Sequence, residues 1–297
     1  MISITYYFLI FPFSFQLIAQ LETWASHVSV RNFWGVTEEQ DYDVHCADET
    51  SEDALQTFVQ NCRLSNPAFG DIRRPLRGWG WFCAQRRPGH ALGWLQKMYK
   101  HATMIPDIFI LVDDDTAVDI EEVQRQMLLV QDYQYPYVGN PCMGNFGAGT
   151  GGAGTFFNRA AIETLSRPIF CDDQQQESMN SVCENIQANR ADGKDIFQQG
   201  DSAFDIFYKF SALRDFCVHS DQAMAQMINV YSGGKLHQMG QCHGRGPGGR
   251  RQPCYRDSIS CHYQTPESMK EFVLARTCPQ SHSWDGQPRQ IAKARCD

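Results

Sequence analysis

The stretch Ile108 to Val123, "IFILVDDDTAVDIEEV", decides how this chain is read. Five apolar residues, Ile108 to Val112, run directly into Asp113, Asp114 and Asp115. A short, uninterrupted apolar run rich in β-branched residues predicts a strand buried on both faces. Three adjacent carboxylates at its tip repel one another, so something there must offset the repulsion. Side chains alternate along a strand, which puts Asp113 and Asp115 on one side and Asp114 on the other for as long as the strand persists. In open α/β sheets, ligands bind beyond the carboxyl ends of the strands. Two carboxylates at such a mouth suit a hard divalent cation that prefers oxygen ligands. The competing reading is a solvated acidic turn with Asp119 as a cap. Asp119 followed by Glu122 has capping-box spacing and marks the start of the next helix.

Outward from this stretch, strand and helix patterns alternate. "SVRNFWGV" predicts a strand ending near Val36, and "YDVHC" a second short one. Ser51 caps a predicted helix that places Leu55, Phe58 and Val59 on one face. The basic, aromatic and turn-rich "RRPLRGWGWFCAQRRPG" connects it to "HALGWLQKMYKHAT", where Leu92, Leu95, Met98 and Tyr99 keep helical spacing. "YPYVGN" predicts a short strand, Asn158 the N-cap of a helix through Leu165, and Ser220 the start of another helix. Residues 172–200 form a polar insertion, and the chain beyond Gly240 is rich in Gly, Arg, Pro and Cys. There is no internal repeat. The alternation predicts an α/β fold, a largely parallel sheet flanked by helices, with a loop-rich tail tied by disulfides.

At 297 residues the chain can bury a full core, and 42% hydrophobic content with dispersed charge makes it globular. A net charge of -8 argues against nucleic acid as a partner. It leaves room for an anionic ligand held through a cation. Twelve cysteines without a CxxC pair favour disulfides in a secretory compartment over zinc ribbons or thioredoxin-like chemistry. Their pairing is open, Cys46 with Cys62 being the best local bridge. Cys254, Cys261 and His262 in "CYRDSISCH" offer a structural zinc site as the alternative. Residues 1–20 read either as a signal anchor or, through Ile4 to Phe11, as the first core strand of a domain whose amino terminus extends further.

The segment "GAGTGGAG" carries two readings. Gly147, Gly149 and Gly152 fit G-x-G-x-x-G, with Asp172 further on, as a dinucleotide site requires. The preceding "NPCMGNF" is not a buried strand, which argues against that site. The physical alternative is that Gly151, Gly152 and Gly154 let backbone approach a bulky ligand where any Cβ would obstruct it.

An apolar strand ending in "DDD", followed by "GGAG" at 151–154, resembles the fringe-like β-1,3-glycosyltransferases, which include fringe and the core-1 β-1,3-galactosyltransferases. "LETWASH" (Leu21 to His27), with Trp24, is similar to the stretch after that family's first strand. The resemblance spans most of the chain and implies a single A-type nucleotide-sugar-binding domain over 21–275, with a mixed, mostly parallel Rossmann-like sheet. Residues 276–297 are then a cysteine-containing tail. It implies that Asp113, Asp114 and Asp115 serve the metal and nucleotide, Asp115 being the direct Mn²⁺ ligand, with Asp113 beside it. His262 in "SCHYQTPESM" matches the late metal-binding histidine, and His243 is the second choice. Gly151, Gly152, Ala153 and Gly154 match the donor-binding turn. Asp221 in "HSDQAMA" takes the catalytic acid position, whereas Ser220 replaces the first acid of the family's pair and Ala225 stands where glycine is usual. The implied activity is inverting, Mn²⁺-dependent transfer of galactose or N-acetylglucosamine from a UDP-sugar to a glycan or glycoprotein hydroxyl, in the Golgi as a type II membrane protein or in the secretory pathway at large. The two departures at Ser220 and Ala225 point to the alternative, a catalytically silent carbohydrate-binding or scaffold protein.

Overall fold

The computed structural model describes residues 4–9, 15–23, 25, 33–36, 60, 86–101, 105–113, 115–131, 135–141, 151–171, 182–184, 197–211, 220–231, 236–239, 259–262 and 265–277. Several expected features lie outside them: the helix from Ser51, the Cys46–Cys62 bridge, Trp24, Asp114, Gly147, Gly149, Asp172 and His243. In chain order the principal elements are β1 (Ile4–Leu9), α1 (Phe15–Glu22), β2 (Phe33–Val36), α2 (Arg87–His101), β3 (Ile108–Asp113), β4 (Ala117–Val118) and α3 (Ile120–Gln131). They continue with β5 (Val138–Asn140), a one-turn 3-10 helix (Gly151–Ala153), β6 (Thr155–Asn158), α4 (Arg159–Leu165), α5 (Ala203–Ser211), α6 (Ser220–Tyr231), β7 (Leu236–Gln238), β8 (Ser260–Cys261) and α7 (Pro266–Thr277). The chain forms two compact units. The first takes Met1–Gly35, Pro106–Asn158 and Leu236–Asp297, and the second Val36–Ile105 and Arg159–Lys235.

The first unit is built on a six-stranded sheet in the order β2-β1-β3-β6-β5-β7. Ile4–Leu9, within the apolar amino-terminal stretch, pairs parallel with β3 from Ile4↔Ile108 to Leu9↔Asp113. Ile108, Phe109, Ile110, Leu111 and Val112 are all buried, as the unbroken apolar run demands. Alternation sends Ile108, Ile110 and Val112 into a core with Val123 and Met127 of α3 and Met269 and Phe272 of α7. Phe109 meets Phe157 of β6 across the pair, ring centroids 5.5 Å apart. Each such fully buried side chain contributes about 1.5–3 kcal/mol relative to exposure. Among the described residues no helix is long and apolar enough to cross a membrane.

The sheet is mixed, more so than the alternating pattern predicted. β6 lies antiparallel to both β3 and β5, while β5 and β7 are parallel. The departure turns on β6 itself. Its four residues, "TFFN", are too few for periodicity to separate from the helix that follows. The glycine turn thus opens into a strand, and the helix begins only at Arg159. Asn158 sits at the predicted boundary, but its carboxamide is engaged sideways. Its Oδ1 accepts the Tyr137 N–H at 2.9 Å, and its Nδ2 donates to the Tyr135 carbonyl at 3.1 Å. Asp119 caps α3 as predicted, accepting the Glu122 N–H at 3.0 Å. The Glu122 carboxylate binds Arg125 and Gln126 on the helix surface.

In the second unit, α2 begins at Arg87, inside the stretch that reads as a turn. Pro88 is tolerated there because first-turn N–H groups have no partner within the helix. Leu92 and Leu95 are fully buried, as their spacing predicts. Glycines set the packing of α2 on α5: a Cβ on Gly93 would fall 2.6 Å from the Tyr208 ring. At the start of the polar insertion, Cys171 just before it and Cys183 within it form a disulfide beside an apolar cluster of Ile169, Val182, Phe197 and Ile206. α5 starts with a complete reciprocal cap. The Asp205 N–H donates to Ser202 Oγ at 3.1 Å, and the Ser202 N–H donates to Asp205 Oδ2 at 3.0 Å. Ser202→Ala removes one half of this cap and is expected to lower stability by about 1 kcal/mol, measured as a reduced urea midpoint with unchanged slope.

Candidate metal centre

β3 ends at Asp113, and the chain turns at once: the Thr116 N–H donates to the Asp113 carbonyl at 3.2 Å. Asp113 therefore opens a β-turn closed by Thr116, and Asp115 lies within it. The predicted sharing of one side survives the end of the strand because the turn preserves it. β4 then pairs antiparallel with β8, Ala117↔Cys261 and Val118↔Ser260, and the Asp119 N–H extends the ribbon to the Ile259 carbonyl at 2.8 Å. That register places His262, the residue after β8, beside the acidic turn. Its Nε2 lies 3.1 Å from Asp115 Oδ1 and 3.5 Å from Asp113 Oδ2. One ligand atom from each of Asp113, Asp115 and His262 falls within 4.8 Å of the others.

The glycine turn forms the floor. The His262 ring lies so close to Gly152 that a Cβ there would stand 1.9 Å from Cε1 and 2.2 Å from Nε2. Gly154 adopts φ +101°, in the left-handed region that favours glycine, and a Cβ there would press on Val112. Three side chains from separate segments hold three successive carbonyls of this turn. Thr116 Oγ1 donates to Gly152 O, Ser260 Oγ to Ala153 O, and Asn140 Nδ2 to Gly154 O. Thr116, Ser260 and Asn140 were not singled out in the sequence. A lone hydroxyl or amide carries no pattern, and the only hint was the position of Thr116 directly after the aspartates.

These residues suit a divalent cation. Oxygen ligands sit about 2.0–2.6 Å from Mg²⁺ or Ca²⁺, so two ligands of one ion lie within about 5 Å of each other. The three donors here meet that limit. Asp115 Oδ1 is buried and faces His262 Nε2 at 3.1 Å, and a carboxylate oxygen with one such partner keeps a lone pair for another ligand. Two carboxylates with one imidazole match manganese- or magnesium-like ions better than soft metals. Cys261 is disulfide-bonded and has no thiolate to offer, which removes the structural zinc site read from Cys254, Cys261 and His262.

Without a cation, His262 serves as the counter-charge. Burial pulls its pKa down, but hydrogen bonding and charge attraction from Asp113 and Asp115 outweigh that and hold it up at about 9. Asp221 belongs to the second unit, in the first turn of α6, where its Oδ1 accepts the Gln222 N–H at 2.8 Å. Ser220 and Ala225, on the same helix, are buried. No known family model matches the chain, and no curated protein matches it in sequence.

Three outcomes are expected. Gly152→Ala drives His262 from the turn and abolishes Mn²⁺ binding, measured by the paramagnetic resonance of free Mn²⁺, with the disulfides retained. A cation must also displace the His262 proton. With that pKa raised to about 9, Mn²⁺ affinity rises with pH below that value, by up to about tenfold per unit for one proton released. Titrations between neutral and mildly alkaline pH check this. The metal-free protein moves the opposite way: stabilisation by protonated His262 is complete below the ordinary histidine pKa of 6.5 and is lost as pH rises through about 9.

Proposed function

We propose that this protein is an inverting, metal-dependent glycosyltransferase that moves a sugar from a UDP-sugar to an acceptor hydroxyl, as fringe-like β-1,3-glycosyltransferases do. The observation that carries this reading is the convergence of Asp113, Asp115 and His262 against the Gly151–Gly154 turn. Asp113, Asp115 and His262 would hold Mn²⁺, and Asp114 would serve the nucleotide, as the family resemblance implies. When bound, the ion supplies Lewis-acid stabilisation of the negative charge that develops on the departing UDP. His262 must be neutral to take part, which its exchange of a proton for the cation provides. Gly151, Gly152, Ala153 and Gly154 would form the donor-side wall, Gly152 by letting the His262 ring lie against the main chain beside the two carboxylates. Asp221 would accept the proton of the acceptor hydroxyl as its oxygen bonds to the anomeric carbon and the bond to UDP breaks. That role requires its carboxylate within about 3 Å of that oxygen.

The disulfides at Cys171–Cys183 and at Cys261 support folding in an oxidising compartment, consistent with a secretory or Golgi enzyme acting on glycans or glycoproteins. Ser220 and Ala225 favour a second reading: a protein of the same fold that binds carbohydrate without turning it over. A panel of UDP-sugars, beginning with UDP-galactose and UDP-N-acetylglucosamine, is expected to give Mn²⁺-dependent transfer or hydrolysis. Asp115→Ala should abolish it, and Asp221→Asn should lower kcat by at least 10²-fold while UDP binding persists. Binding of UDP-sugar without turnover in the unaltered protein supports the second reading, and equal kcat in Asp221→Asn refutes Asp221 as the base.

A further inference from the structure

The turn that carries Asp113 and Asp115 is clamped from a part of the sequence with no acidic motif. Gln20, in the last half of α1, is fully buried. Its Nε2 donates to the Asp113 carbonyl at 3.0 Å and to the Thr116 carbonyl at 2.8 Å. The Thr116 N–H closes the same turn on the Asp113 carbonyl, so that oxygen accepts two bonds. From the geometry we infer that Gln20 is a positioning residue for the metal centre: it fixes the separation of the Asp113 and Asp115 carboxylates so that both reach the ion facing His262.

The chemistry of the side chain supports this. A primary amide has two N–H groups on one nitrogen and can serve two carbonyls at once without adding charge. A lysine there would place a cation beneath a site built to receive one. A glutamate would add a further anion and has no proton to donate at neutral pH. The anchor is rigid, because α1 packs against α7 and the Thr23 N–H returns to the Gln20 carbonyl at 3.2 Å. Leu9, the last residue of β1, which precedes α1, pairs with Asp113 in the sheet. The clamp acts on backbone carbonyls and takes up no carboxylate oxygen of Asp113 or Asp115. Gln20 Oε1 is buried and makes no hydrogen bond. Burying an unsatisfied carbonyl costs about 1–3 kcal/mol, a cost that a residue kept only for packing, such as Leu or Met, would avoid.

The inference rests on the metal-site reading, and its test separates the two. Mn²⁺ is titrated, without nucleotide, into the unaltered protein, Asp115→Ala and Gln20→Met, and free Mn²⁺ is read by paramagnetic resonance. Binding by the unaltered protein and none by Asp115→Ala is expected. Gln20→Met, of similar volume but with no donor, is expected to bind about 10- to 100-fold more weakly, the usual effect of losing a residue that orients metal ligands. Ile110→Val, a core change in β3, serves as the control for destabilisation alone and should bind like the unaltered protein. Gln20→Asn, shortened by one methylene and able to reach one carbonyl at most, should also weaken binding and is read if Gln20→Met does not fold. Unaltered affinity in a folded Gln20 variant overturns the role of Gln20 and leaves the metal site standing. No Mn²⁺ binding by the unaltered protein overturns both.

Discussion

The candidate metal centre depends on the register of a ribbon only two residue pairs long. β4 and β8 join through Ala117↔Cys261 and Val118↔Ser260, and that pairing alone delivers His262 to the acidic turn. Side chains in a strand alternate faces, so a slip of one residue would send His262 away from Asp115. Two pairs cannot specify a register by themselves. It is pinned by burial of Ala117, Val118, Ile259 and Cys261 in one core, by the Asp119 N–H bond to the Ile259 carbonyl, and by the disulfide at Cys261. Ser260 reinforces it from the ribbon itself, donating to the Ala153 carbonyl.

The glycine turn is shaped from both sides of its backbone. On one side, the absence of Cβ at Gly152 lets the imidazole of His262 lie against the main chain. On the other, Thr116, Ser260 and Asn140 take up its carbonyls one after another. Buried carbonyls left unsatisfied cost about 1–3 kcal/mol each, so these bonds are what allow an irregular segment to be buried between strands. Thr116 links the two halves of the centre. Its N–H closes the acidic turn, while its hydroxyl holds the glycine turn, so one residue ties the carboxylates to their floor.

Electrostatics explain how Asp113 and Asp115 sit side by side in the absence of a cation. The charge that offsets Asp113 and Asp115 is carried by His262, held protonated by the two carboxylates despite its burial. The same proton is the one a divalent ion must displace. A divalent ion bound there would replace one cationic partner by another, so the two half-buried carboxylates would keep a counter-charge in either state.

By itself, the sequence determined the buried strand Ile108–Val112, the acidic tip at its carboxyl end, the Asp119 cap, and the helix faces at Leu92 and Leu95. All of these are local: apolar periodicity, a cap three residues from its partner, and charge abutting a hydrophobic run. His262 and the Gly151–Gly154 turn follow from family resemblance; the expectation that Gly152 and Gly154 make way for a bulky ligand is corrected by the structure, where the chain's own His262 and Val112 lie against them. Only the tertiary structure decided what those residues do together. The sheet became mixed because four residues, "TFFN", reverse direction between β3 and β5, a choice too short for any pattern to record. Gln20, Thr116, Asn140 and Ser260 carried no signal, because their roles consist of single bonds to backbone carbonyls far away in the chain. A carbonyl acceptor has no residue identity, so nothing in the letters can announce which side chain will find it.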